Sequence, residues 1–249
     1  MSNHETKAQK TTLPASITWC GYLALTLLIV LPLSVLTVRA GAWQQGLLLY
    51  AIACLGSIAL LILFVLFLML PRMAPWRAAV RRRALLTLPG TLALFSLTLG
   101  GADYPRIHDI TTDTADPPRF VKAPELRGEA ANPLTLTDEE IILQKAAYPD
   151  LQTLRTAGMT IDDAYSRALQ VALMLGWEVY HQDRAAGVIE AVDTTRLMAF
   201  KDDIVIRVRG NAQGAYLDLR SVSRVGQGDI GANATRIRNF IEAFKAEGE

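Results

Sequence analysis

Arg220, Ser221, Ser223, Arg224, Asp229, Asn233, Arg236 and Arg238 crowd into one stretch, RSVSRVGQGDIGANATRIR, which spans Arg220 to Arg238. Guanidinium forks and the open amides of a helix start both suit carboxylate or phosphate oxygens, so this run is the chain's candidate binding site. Its glycines and its Asp and Asn read as a strand end, a loop and a capped helix start. In the binding reading, Arg220, Arg224 and Arg236 converge on an anionic or polar ligand, with Arg207 on a neighbouring strand. Ser221, Ser223, Asp229 and Asn233 complete that set. In a structural reading the same arginines pair with Asp202, Asp203, Asp218 and Asp229, because Arg takes a nearby carboxylate before it waits for a ligand.

A catalytic alternative is a hydrolase built on Ser221 or Ser223 with Asp202 or Asp203. No nucleophile-elbow spacing surrounds either serine, and the later half offers only His108 and His181 as histidine bases. No catalytic residue is therefore assigned, and binding rather than catalysis is the expectation. His108, Asp109, Asp113 and Asp116 resemble a ligand set at first sight. Turn-forming Asp and Thr on an exposed segment explain them better, and neither a metal nor any other cofactor is expected.

Alternating and helical patterns supply the elements that hold these residues. Thr137 to Ala147 and Thr160 to Leu175 read as capped helices, the second with Ile161, Ala164, Ala168, Ala172 and Leu175 as its apolar stripe. Period two then takes over, giving strands at Trp177 to Gln182, Val188 to Asp193, Ile204 to Arg209 and Ala215 to Val222, with a further candidate at Arg196 to Phe200. Lys201-Asp202-Asp203 reads as a polar join between strands. A last helix carries Ala234, Ile237, Ile241 and Phe244. The expected class is α+β, an antiparallel sheet with its helices packed on one face. Ile204, Ile206, Val208, Leu217 and Leu219 point to those helices. Val205, Arg207, Arg209, Tyr216, Asp218 and Arg220 then make the opposite face charged, and a solvated face is the expectation.

The first hundred residues differ in kind. They hold eight Lys or Arg against Glu5 alone, whereas the remainder holds 17 basic and 23 acidic residues. That acidic half excludes a nucleic-acid partner. Both cysteines, Cys20 and Cys54, lie in the apolar half, with neither disulfide nor zinc spacing. Uncharged runs from Ile17 to Val38, Leu47 to Leu70 and Ala84 to Ala102 read as three transmembrane helices, the third kinked by Pro89-Gly90. Small residues at Ala53 and Ser57, or Ser96 and Gly100, would permit close helix contact with a partner. Arg72, Arg77, Arg81, Arg82 and Arg83 share one short loop, which places that loop, with Lys7 and Lys10, in the cytoplasm. The domain plan is a cytoplasmic tail (1–16), a membrane region (17–102), a Pro/Asp/Thr-rich strap or linker (103–135) and an extracytoplasmic, periplasmic α+β domain (136–249) at the inner membrane.

The blocks PRIHDITTD, PPRF, YPDL, GWEV, GVIEA, FKDDIVIRV and DLRSVSRVGQGDIGANATRIR, in that order, resemble domain-of-unknown-function family 1499. The likeness runs from about Asp103 to Phe244 and leaves the membrane half outside. The family's characteristic positions fall here on Asp202, Asp203, Arg207, Arg220, Ser221, Ser223, Arg224, Gly226, Asp229, Gly231, Asn233 and Arg236. The resemblance implies no activity, cofactor or substrate. The order helix, GWEV, GVIEA is also similar to helix-grip domains of some envelope assembly lipoproteins, a likeness of fold alone. The expected role is a membrane-anchored domain that binds an anionic small molecule, a lipid headgroup or an envelope protein.

Overall fold

The computed structural model describes residues 12–101, 104–211 and 213–247. Glu5, Lys7, Lys10, Ala102 and Asp103 lie outside them. The chain divides into two compact units at the Gly100/Gly101 bond.

In the first unit, α1 (Ala15–Arg39) and α2 (Trp43–Met69) are joined by a tight turn at Gly41. Both are long and apolar enough to cross a membrane. Their outward residues agree with that, since Leu23, Ile29 and Leu36 of α1 and Leu48, Ile52 and Leu66 of α2 are half-exposed or more. The two helices pack through notches. A Cβ on Gly46 would lie 2.8 Å from the Ser34 carbonyl oxygen, and one on Gly56 would lie 2.9 Å from Leu27. A 3-10 segment (Pro71–Trp76) leads to α3 (Arg77–Ala84), and a second 3-10 turn (Leu85–Thr87) leads to α4 (Leu88–Gly101).

The third expected span is thus divided. Pro89 sits in the first turn of a 14-residue helix, where its missing N–H disrupts nothing, and the irregularity lies just before it at Leu85–Thr87. Ala53 and Ser57 are already occupied within this unit. Gly90 packs so closely on α2 that a Cβ there would sit 2.3 Å from Ser57 Oγ.

The second unit is a six-stranded antiparallel sheet. β1 (Asp109–Thr111), β2 (Leu154–Ala157), β3 (Glu178–Asp183), β4 (Val188–Thr194), β5 (Lys201–Asn211) and β6 (Gly214–Ser223) run in the order β1-β6-β5-β4-β3, with β2 pairing the other end of β6. The helices are α5 (Ala123–Leu126), α6 (Asp138–Ala147), α7 (Ile161–Met174) and α8 (Ala232–Ala246). Thr137 and Glu140 close a capping box on α6, and Thr160 caps α7 by accepting from the Asp163 amide at 3.1 Å.

The core lies between the sheet and helices α7 and α8. Ala164, Ala168 and Ala172 of α7 and Ile237, Phe240 and Phe244 of α8 meet Ile204, Ile206, Val208, Leu217 and Leu219. Trp177 stacks on Phe240 with ring centroids 5.5 Å apart. Two expectations change here. Arg196 to Phe200 is a turn, closed by a hydrogen bond from the Thr195 amide to the Phe200 carbonyl. Lys201-Asp202-Asp203 opens β5, and both carboxylates are buried.

Candidate functional site

Register decides which side chains can meet. Asp202 pairs with Ser223 and Ile204 with Ser221, so Asp202, Ser221 and Ser223 share the face that carries the apolar core. Helix α8 descends onto that face from Gly231, whose φ of +76° gives a left-handed entry. Asn233 and Arg236, three residues apart and so on one side of α8, close over the three.

The Asn233 amide is fully used. Its Oδ1 accepts from Ser221 Oγ and from Arg236 Nη1, each at 2.6 Å. Its Nδ2 donates to Ser223 Oγ at 2.9 Å and to the His108 carbonyl at 3.1 Å. Arg236 also donates from Nε to Asp193 at 2.8 Å, from Nη2 to Asp202 at 2.6 Å and from Nη1 to Ser221 Oγ at 3.1 Å. Asp229 caps the helix, accepting from the Gly231 amide at 2.9 Å and the Asn233 amide at 2.7 Å. Burial pushes the Asp229 carboxyl above its ordinary range, against the pull of those two amides.

A cavity of about 360 Å³ opens on this cluster, with Leu175, Trp177 and Ile230 as apolar wall and Asp193, Thr235 and Arg236 as polar wall. Ile230 holds φ at +53°, a strained value for a β-branched residue. A larger, shallower depression of about 910 Å³ beside Asp163, Arg167 and Glu247 contains none of the candidate residues.

Most of the other face is covered rather than solvated, with Arg209 at its exposed end. Residues 112–135 lie across it as a strap tied by charge. Arg220 donates to Asp109 through Nε at 2.9 Å and Nη2 at 2.6 Å, and to the Pro118 and Leu134 carbonyls, with its guanidinium over the Phe120 ring. Asp203 accepts from Arg127 at 2.7 Å and from both arms of Arg224, at 2.9 and 2.8 Å. Glu190, fully buried, takes the backbone amides of Val121, Lys122 and Ala123. Asp218 accepts from Thr153 at 2.6 Å, from Arg207 at 3.0 Å and from Arg209 at 2.6 Å; both arginines also reach Asp113 on the strap. Burial holds the Tyr180 hydroxyl far above its ordinary pKa, and Asp203 and Glu190 add to that.

The sequence-predicted set is therefore divided. Ser221, Ser223, Asp229, Asn233, Arg236 and Asp202 come together beneath α8. Arg207, Arg220, Arg224, Asp203 and Asp218 lie on the opposite face, so Arg220 and Arg224 do not converge with Arg236. The four residues weighed as a metal set are engaged apart: His108 with Glu140, Asp109 with Arg220, and Asp113 and Asp116 with Arg207 and Arg209. Sequence reasoning missed Arg127, Asp193 and Glu190. Only Glu190 left a signal, as a lone acid inside the apolar run VIEAV.

A family model described as "Protein of unknown function (DUF1499)" matches residues 109–244. No curated protein matches the chain.

Proposed function

The chain belongs to the DUF1499 family, and we propose that it is a membrane-anchored binding protein that displays its α+β domain outside the cytoplasm. Helices α1 and α2 supply the length and apolar surface for two spans, and the segment from Leu85 through α4 supplies a third. Five arginines between the second and third spans hold that loop in the cytoplasm, so the α+β domain follows on the periplasmic side of the inner membrane.

The observation that carries the binding reading is the wall of the α8 cavity. Arg236 and the half-buried Asp193 border it, whereas the forks of Arg220 and Arg224 are spent on Asp109 and Asp203 across the other face of the sheet. Two carboxylates flank the Arg236 guanidinium, at 2.8 and 2.6 Å, and this weakens its attraction for an anion. The ligand that fits is a small polar molecule. It offers hydrogen-bond donors to Asp193 and lays an apolar portion against Leu175, Trp177 and Ile230. The hydrolase reading gains nothing here. Ser221 is fully buried and donates its hydroxyl hydrogen bond to Asn233 Oδ1, and Asp203 lies on the other side of the sheet.

Melting the full-length protein against a panel of polyols, amides and amino compounds tests this reading. A compound that fills the cavity raises the melting temperature, and Thr235→Trp, an exposed rim position, removes that shift without touching the Arg236 network. A shift that survives Thr235→Trp moves the binding site elsewhere.

A further inference from the structure

The loop between α2 and α4 carries two kinds of arginine. A helix advances ~100° per residue, so Val80, Arg83 and Ala84 fall on one side of α3 while Arg81 and Arg82 point away from it; Arg77, the first residue of α3, flanks the packed side and is exposed. The first side is packed. Val80 is fully buried in a cluster with Ile17, Leu60 and Phe64, against which Trp76 and Ala84 also rest. Arg83 lays its stem over Gly21 of α1, where a Cβ would come 2.7 Å from Cδ, and donates to the Ala79 carbonyl at 3.2 Å. Arg83 is therefore a packing residue. Arg72, Arg77, Arg81 and Arg82 are exposed, and no Asp or Glu occurs anywhere from residue 12 to residue 101.

We infer that these four arginines bind the phosphate groups of anionic phospholipids in the leaflet beside them. The inference rests on the reading that α1 and α2 cross a bilayer. Arg72 stands three residues beyond the end of α2, which puts the set at headgroup depth. Guanidinium forks match phosphate oxygens in pairs, and a leaflet rich in anionic lipid supplies phosphate at that level. Charge complementarity selects the occupant, because this unit's described residues offer the four cations no carboxylate.

The test reconstitutes full-length protein into vesicles of equal parts phosphatidylglycerol and phosphatidylcholine, then extracts it with its bound lipid and counts both classes. Wild type carries phosphatidylglycerol in excess. The quadruple variant Arg72→Gln, Arg77→Gln, Arg81→Gln, Arg82→Gln loses the excess, single variants weaken it about fivefold each, and the matching quadruple Lys variant keeps most of it. Equal excess in wild type and the quadruple Gln variant, with both resisting alkaline extraction, overturns the inference and assigns the patch to another partner. Release of wild type by alkali sinks the membrane reading itself, and this inference with it.

Discussion

The two faces of the carboxy-terminal sheet use the same residue types for different ends. On the helix side a single arginine, Arg236, is bound up with Asn233, Ser221, Asp202 and Asp193 at the edge of a cavity. On the strap side Arg127, Arg207, Arg209, Arg220 and Arg224 join Asp109, Asp113, Asp203 and Asp218 and fasten residues 112–135 to the sheet. Neighbours in sequence serve opposite faces: Arg220 and Ser221, or Asp202 and Asp203, are separated by one step of a strand, which turns the side chain over. A cluster in sequence is thus two clusters in space.

The strap side breaks first. Asp203→Ala leaves Arg127 and Arg224 without their shared carboxylate in a buried setting, and a urea melt will show a loss of about 3–5 kcal/mol. On the helix side, Arg236→Lys keeps the charge but cannot reach four acceptors, and the same melt will show about 2–3 kcal/mol. Equal losses would mean that the two clusters bear load alike.

Acid separates two carboxylates by sign, Asp229 at the start of α8 and Asp113 on the strap. Burial raises the Asp229 carboxyl above its unfolded value, so its contribution to stability grows as pH falls from neutral through its folded pKa. Asp113 behaves oppositely. Burial would raise it, but the amides of Asp116 and Ala115, with Arg207 and Arg209, lower it overall, so its contribution is present above the ordinary carboxylate range and is lost as pH falls through its folded pKa. Melting curves across pH for Asp229→Asn and Asp113→Asn will lose opposite slopes. The smallest effect belongs to neither face: Arg238 and Asp150 form an exposed pair, and Arg238→Ala will cost about 0–1 kcal/mol.

The long elements were legible because their periods are strong. The pattern from Thr160 to Leu175 agrees with α7 within a residue, and the pattern from Val188 to Asp193 agrees with β4 within a residue at both ends. β1 and β2 were not read, since three and four residues carry no periodicity and their pairing with β6 is set by tertiary contact. The charged face looked solvated because alternation reports which residues share a side and is silent on what covers them. Pro and Asp in the strap suppress regular structure while leaving backbone amides for Glu190 and carboxylates for the arginines, so its order rests on distant partners. Asp202-Asp203 read as a turn for the same reason: two acids inside a buried strand make sense only once an arginine is placed on each side.

Asp202 and Asp203 allow the most direct test of this division. Hydrogen exchange followed by mass spectrometry on full-length Asp202→Asn and Asp203→Asn will give opposite maps. Asp203→Asn speeds exchange through residues 121–132 of the strap and leaves the first turns of α8 protected, and Asp202→Asn does the reverse. If the two variants expose the same amides, the faces form one cooperative unit, and the assignment of Arg236 and its cavity to a separate binding site is contradicted.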